Sequence, residues 1–153
     1  MNIEQLIDRA ESGSHQDQSF LGLCYLYGTD FDIDYDKAFR WLSAAAKHGA
    51  PRTLANLGYM YLKGLGTDKD VSQAIRLLEQ AAKQDEFIAQ YELGHLYLLG
   101  EDIPYDFEQA FRWYTAIIAN EHMKSEDTRD NVLEAKDFIF KQDDYVSKLM
   151  RSH

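Results

Sequence analysis

The stretch Leu57-Gly58-Tyr59-Met60-Tyr61-Leu62-Lys63-Gly64, followed across a polar loop by Ala74 and then by Ala81-Ala82, decides how the rest of the chain is read. Thirty-six positions earlier the same frame stands as Leu21-Gly22, Tyr25, Gly28, Ala38 and Ala45-Ala46. Thirty-six positions later it stands as Leu93-Gly94, Tyr97, Gly100, Ala110 and Ile117-Ile118. Neither shift needs an insertion or deletion, so the chain is a tandem repeat. Periods of about 20 to 50 residues belong to solenoids, propellers and arrays.

Each period reads as two helices around a turn. First helices are expected near 17–27, 52–63 and 88–99, and second helices near 35–47, 71–83 and 107–119. Between the first pair runs Gly28-Thr29-Asp30-Phe31-Asp32-Ile33-Asp34, too polar and turn-rich to continue a helix. Asp34, Asp70 and Asp106 recur at the start of each second helix as N-caps, with Gln73 and Gln109 three residues on as capping-box partners. Gly22, Gly58 and Gly94 fall inside helices, where glycine costs up to about 1 kcal/mol relative to alanine. Close approach of the paired helix is the compensation expected there. Tyr25, Tyr61 and Tyr97, with Trp41, Leu77 and Trp113, are expected to form a continuous core. Helices this short are unstable alone in water, so stacking must hold them.

Residues 2–13 read as an orphan second helix, because Ile3, Leu6 and Ala10 fall on Phe39, Leu42 and Ala46 after one shift. Gly13 falls on Gly49, a place for a left-handed residue after a helix. After Asn120 the period lapses, and residues 126–151 are expected to give two further helices that cap the last repeat or dock a partner. The expectation is one solenoid domain over 1–153, with repeats at 17–49, 53–85 and 89–120 between an N-terminal capping helix and the C-terminal ones.

The run Ala89-Gln90-Tyr91-Glu92-Leu93-Gly94-His95-Leu96-Tyr97-Leu98-Leu99-Gly100 resembles the Sel-one-like repeat (SLR) family, a branch of the tetratricopeptide-like α/α solenoids. The departures are Asp17 and Thr53 where Ala89 carries the family alanine, and Ile117-Ile118 in place of Ala-Ala. The resemblance implies an all-α, right-handed α/α superhelical solenoid of three helix-turn-helix repeats. It also implies a binding module, since SLR proteins typically act as adaptors in assembly, signalling and host contact. Two other roles stay open: a bacterial immunity or inhibitor protein that occludes a toxin, and a hydrolase, because some SLR proteins have been assigned such activity.

Composition narrows the partners. The 26 acidic and 16 basic residues give a formal net charge of −10, and no cluster of Lys and Arg offers a phosphate-binding footprint. Nucleic acid and anionic membrane are therefore excluded as partners, and a protein or peptide, basic in the variant where charge steers it, is expected. The single Cys24 rules out an intrachain disulfide framework, including the cysteine pair per repeat of some secreted SLR proteins. The N-terminus lacks the basic and apolar regions of a signal peptide, and no apolar run nears the roughly 20 residues of a membrane span. A cytoplasmic location is expected; oligomeric state is left open.

Motifs for chemistry are missing. The run Asp30, Asp32, Asp34, Asp36 suggests a calcium loop, but Tyr35 and Trp41 stand where an EF-hand needs Gly and Glu. His15, His48, His95, His122 and His153 form no HExxH or other ligand-spaced pair, and Gly64-Leu65-Gly66 lacks the Lys-Ser/Thr of a P-loop. Neither an enzyme nor a cofactor is expected. In solenoids of this type the first helices line the concave face, a common binding surface. With Leu57, Gly58 and Tyr61 turned to the core, the opposite stripe holds Arg52, Asn56, Tyr59 and Lys63. Its equivalents are Gln16, Phe20, Leu23 and Tyr27 in the first repeat and Ile88, Glu92, His95 and Leu99 in the third. Phe20, Leu23, Tyr27, Arg52, Asn56, Tyr59, Lys63, Glu92, His95 and Leu99 are the expected partner-binding residues, with the tyrosines and Phe20 as anchors.

Overall fold

The computed structural model describes residues 3–119. Seven α-helices follow in order: α1 Ile3–Glu11, α2 His15–Tyr27, α3 Tyr35–Ala46, α4 Pro51–Lys63, α5 Val71–Ala82, α6 Phe87–Leu99 and α7 Phe107–Ala119. Among the described residues there is no strand. The helices expected over 126–151 lie outside the described residues. The chain divides into two compact units, residues 1–89 and 90–153, with the division inside α6.

Every second helix starts by the same device. The Asp34 carboxylate accepts the Lys37 N–H at 3.0 Å, Asp70 accepts that of Gln73 at 2.9 Å, and Asp106 accepts that of Gln109 at 3.0 Å. These bonds satisfy one of the free donors of a helix's first turn. The N–H groups of Asp34, Asp70 and Asp106 are themselves committed, each donating at 3.0 Å to the carbonyl of Tyr25, Tyr61 or Tyr97. This corrects the capping-box expectation: Gln73 and Gln109 have no orphan cap N–H to reach back to. The bond to the tyrosine carbonyl instead ties the start of each second helix to the end of the first.

The helical glycines hold the pairs together. A Cβ on Gly22 would stand 2.7 Å from Leu42 Cγ, and one on Gly58 would stand 2.9 Å from Leu78 Cγ and 3.2 Å from the Ala74 carbonyl oxygen. In the second unit a Cβ on Gly94 would meet the Tyr114 ring at 3.0 Å. At Gly22 and Gly58 a residue without a side chain lets the paired helix approach this closely, and at Gly94 it leaves room for the Tyr114 ring.

In the first unit Leu21, Leu42, Met60 and Leu78 are fully buried, with Ala38 and Ala74 between them. In the second unit Leu93, Ala110, Ile117 and Tyr114 hold the corresponding places. Trp41 and Leu77 belong to the core as expected, but Tyr25, Tyr61, Tyr97 and Trp113 are only half-buried. Tyr25 stacks on Phe31 at 4.6 Å and Tyr61 meets Phe39 edge-on at 5.3 Å, at the margin rather than the centre. A phenol keeps its hydroxyl near water unless the core supplies a partner, so aliphatic residues take the middle. Helix α1 packs as a second helix does: Leu6 and Ala10 are buried against Leu21 and Trp41.

Candidate functional site

The expected binding stripe splits into parts with different surroundings. Helices α2 and α4 are linked by side chains across the repeat boundary. Ser19 and Thr53 share a hydrogen bond of 2.7 Å, and the Tyr27 hydroxyl donates to Asn56 Oδ1. Asn56 Nδ2 donates to the Arg52 carbonyl at 2.8 Å, so both ends of its amide are bonded. Asn56 is 0% exposed and Thr53 is 1% exposed. The sequence reading places Asn56 on the open stripe, and the structure corrects this. That side of a first helix faces the preceding repeat, and α2 covers it.

Around this buried clamp several expected residues stay accessible. Tyr27 is 53% exposed although its hydroxyl is held by Asn56. Arg52 and Lys63 are exposed; Leu23 and Tyr59 are half-buried. The Lys63 ammonium sits 5.9 Å from the Tyr59 ring centroid, a cation–π distance. In the second unit α6 places Glu92 and His95 half-buried and Leu99 exposed. His95 stacks on Tyr91, with ring centroids 5.9 Å apart. Burial first, then the neighbouring Tyr91 and Glu92, raise the Tyr114 hydroxyl far above the usual phenol range, so it stays protonated.

Phe20 occupies the register of Asn56 one repeat earlier. It is 42% exposed and lines a cleft of about 170 Å³ with Ile3, Leu6, Asp30 and Phe31. Asp17, at the register of Thr53, departs from the small residues found there later in the chain. Arg9 of α1 grips its carboxylate through Nε and Nη2, both at 2.9 Å, and the Ser14 hydroxyl donates at 2.6 Å. The Arg9 bond first, and the Ser14 bond second, hold the Asp17 carboxyl down at about 2.

Two features escape the sequence reading. One is the Ser19–Thr53 and Tyr27–Asn56 clamp, whose signal is a pair of polar residues at positions where the frame needs burial. The other is the cleft beside Phe20, whose signal is alignment. Asp30 stands where Gly66 stands one repeat later, and both have left-handed backbone, φ 64° and 65°. Several groups that could do chemistry are held in structural contacts. Asp34 caps α3, its carboxyl held low first by the Lys37 backbone N–H and then by the Lys37 side chain, 3.1 Å away. Cys24 is buried, and desolvation first and Asp30 second push its thiol up, away from the reactive thiolate. His15 and His48 stack on each other at 4.2 Å. Among the described residues no three His, Cys, Asp or Glu side chains are grouped to hold a metal, and no helix is long and apolar enough to cross a membrane.

Comparison with known proteins agrees with the repeat frame. The family model for the Sel1 repeat matches residues 16–49, 51–86 and 88–122. The chain is similar to the crystal structure of a Sel1 repeat protein from Oxalobacter formigenes, at 33% identity and a TM-score of 0.64, covering 86% of this chain and 97% of that one. It is also similar to c5321, a protective antigen present in uropathogenic Escherichia coli strains displaying an SLR fold. There the identity is 26% and the TM-score 0.60, over 78% of this chain and 34% of that one. No curated protein matches the chain.

Proposed function

The chain belongs to the Sel1 repeat family, whose members are generally protein-interaction modules, and from that premise we propose that it is a non-catalytic module holding a peptide or protein segment against its first helices. The residues proposed to make the contact in the first unit are Leu23, Tyr27, Arg52, Tyr59 and Lys63. Glu92, His95 and Leu99 enter the proposal by their register alone. Asn56 leaves the contact set and becomes the support beneath it.

The observation that carries this reading is Tyr27. More than half of its surface is open, yet its hydroxyl is fixed by a buried asparagine of the next repeat. An aromatic side chain already held in one rotamer loses little freedom on binding, which is what an interface anchor needs. Arg52 and Lys63, together with the half-buried Tyr59 ring, supply the charged and aromatic surroundings that such anchors commonly have.

The test begins with a partner obtained by affinity capture from the native host. Tyr59→Ala combined with Lys63→Ala should weaken binding by about 2 kcal/mol, roughly thirtyfold, with helicity unchanged. Unaltered affinity in a folded double variant would place the contact elsewhere on the molecule.

A further inference from the structure

The open cleft at the start of the first repeat has a covered counterpart one repeat later, and the pair shows what kind of object fits it. In the second repeat the register of Phe20 is Asn56, roofed by the Tyr27 side chain from helix α2. In the first repeat only α1 precedes α2 among the described residues, and α1 packs as a second helix. Among the described residues no helix takes the part that α2 takes for α4. The result is a cleft with a buried floor, Leu6, and apolar walls of Phe31 and the exposed Ile3 and Phe20. Exposed apolar side chains gathered around a concavity mark interaction sites far more often than scattered ones do.

One wall of the cleft is charged. Asp30 lines it, is exposed, and meets no cation from the described residues. Its backbone is left-handed, a conformation that aspartate tolerates and that Gly66 adopts at the same register. Asp32, two residues on, is also exposed, and the whole chain carries a formal net charge of −10.

We propose that this cleft docks a basic amphipathic helix of a partner protein, with one aliphatic side chain between Ile3, Phe20 and Phe31 and one lysine or arginine on Asp30. A helix is favoured because a helix covers the equivalent face of α4. A basic one is favoured because, among the described residues, the charged group lining the cleft is a carboxylate, Asp30. The long stem of a lysine or arginine can also lie along the apolar wall while its head reaches the acid. This surface does not depend on the contact set around Tyr27 and Tyr59, and either can fail without the other.

The probe is an alanine-rich, N-acetylated and C-amidated helical peptide carrying one leucine and one arginine four residues apart, so that both lie on one face. Titrated into ¹⁵N-labelled full chain, it should give saturable amide shifts at Ile3, Leu6, Phe20, Asp30 and Phe31. Replacing its arginine by glutamate, or its leucine by alanine, should weaken binding about tenfold or more. In the protein, Phe20→Ala and Asp30→Asn should do the same while leaving the far-ultraviolet spectrum unchanged. Asparagine tolerates the left-handed backbone as aspartate does, so the second variant isolates charge. Shifts centred on Tyr27 and Tyr59 would overturn the proposal, as would equal binding of the glutamate peptide or no saturation at millimolar peptide. Concentration-dependent shifts at the same five residues without peptide would also overturn it, identifying a second copy of the chain as the occupant.

Discussion

Helices α2 and α4 hold the same place in consecutive repeats and meet different surroundings. Toward their own second helices they are alike: Gly22 abuts Leu42 as Gly58 abuts Leu78, and Leu21 and Leu57 are both buried. On the side facing the preceding repeat they diverge. Helix α4 presents Thr53 and Asn56, buried and hydrogen-bonded to α2. Helix α2 presents Asp17, gripped by Arg9, and Phe20, open beside a cleft. The repeat frame therefore specifies the contact inside a repeat. The residues between repeats answer to their own neighbours, small and polar in α4 under α2, charged and aromatic in α2 beside α1.

The largest effect should come where the two helices agree. Gly58→Leu forces a branched side chain into the contact with Leu78 and Ala74, and a loss of about 3 kcal/mol or more is expected in urea unfolding. Gly22→Leu should cost a similar amount against Leu42. A variant of either glycine that unfolds at the parent midpoint would break the claim that the two repeats share one internal contact.

A middle-sized effect should come from the clamp between repeats. Tyr27→Phe removes the donor to Asn56 Oδ1 and leaves that buried oxygen without it, for a loss of about 1–2 kcal/mol. The same change made in an Asn56→Ala background should cost measurably less, because the acceptor is already gone. Strict additivity would mean that the hydroxyl does not act through Asn56.

The smallest effect is a matter of pH. Asp17 has its carboxyl held at about 2 in the folded chain by Arg9 and Ser14, below the ordinary aspartate value near 4. A depressed folded value stabilises above the unfolded value and loses that contribution as pH falls through the folded one. The melting temperature of Asp17→Asn should therefore lie slightly below the parent at neutral pH. The gap should close between about pH 4 and pH 2. A gap that persists unchanged at pH 2 would show that the Arg9 pair contributes nothing through its charge.

Much of the fold was legible because the signals were local or periodic. The 36-residue shift of Leu21-Gly22, Leu57-Gly58 and Leu93-Gly94 placed all seven described helices to within a few residues. Asp34, Asp70 and Asp106 announced their caps because capping is decided within three residues. The return half of the capping box is not legible there, because the competing acceptor, a tyrosine carbonyl nine residues back, belongs to the folded helix pair rather than to local sequence. The burial of Asn56 is hidden for a related reason. Helical spacing shows which residues share a stripe, but it does not reveal whether a neighbouring helix lies on that stripe. Tyr25, Tyr61 and Tyr97 recur as strictly as the leucines, yet periodicity alone does not separate a core position from its margin.

Phe20 and Asn56 share one register in two environments, and reciprocal exchange reads that contrast. Urea unfolding of Phe20→Asn should fall within about 0.5 kcal/mol of the parent, since an exposed ring is replaced by an exposed amide. Asn56→Phe should lose about 3 kcal/mol or more, because it overpacks a closed site and strips the Tyr27 hydroxyl of its acceptor. Equal losses for the two variants would contradict the account, showing that the first repeat's outer face is as fully covered as the second's and that no open cleft exists to be filled.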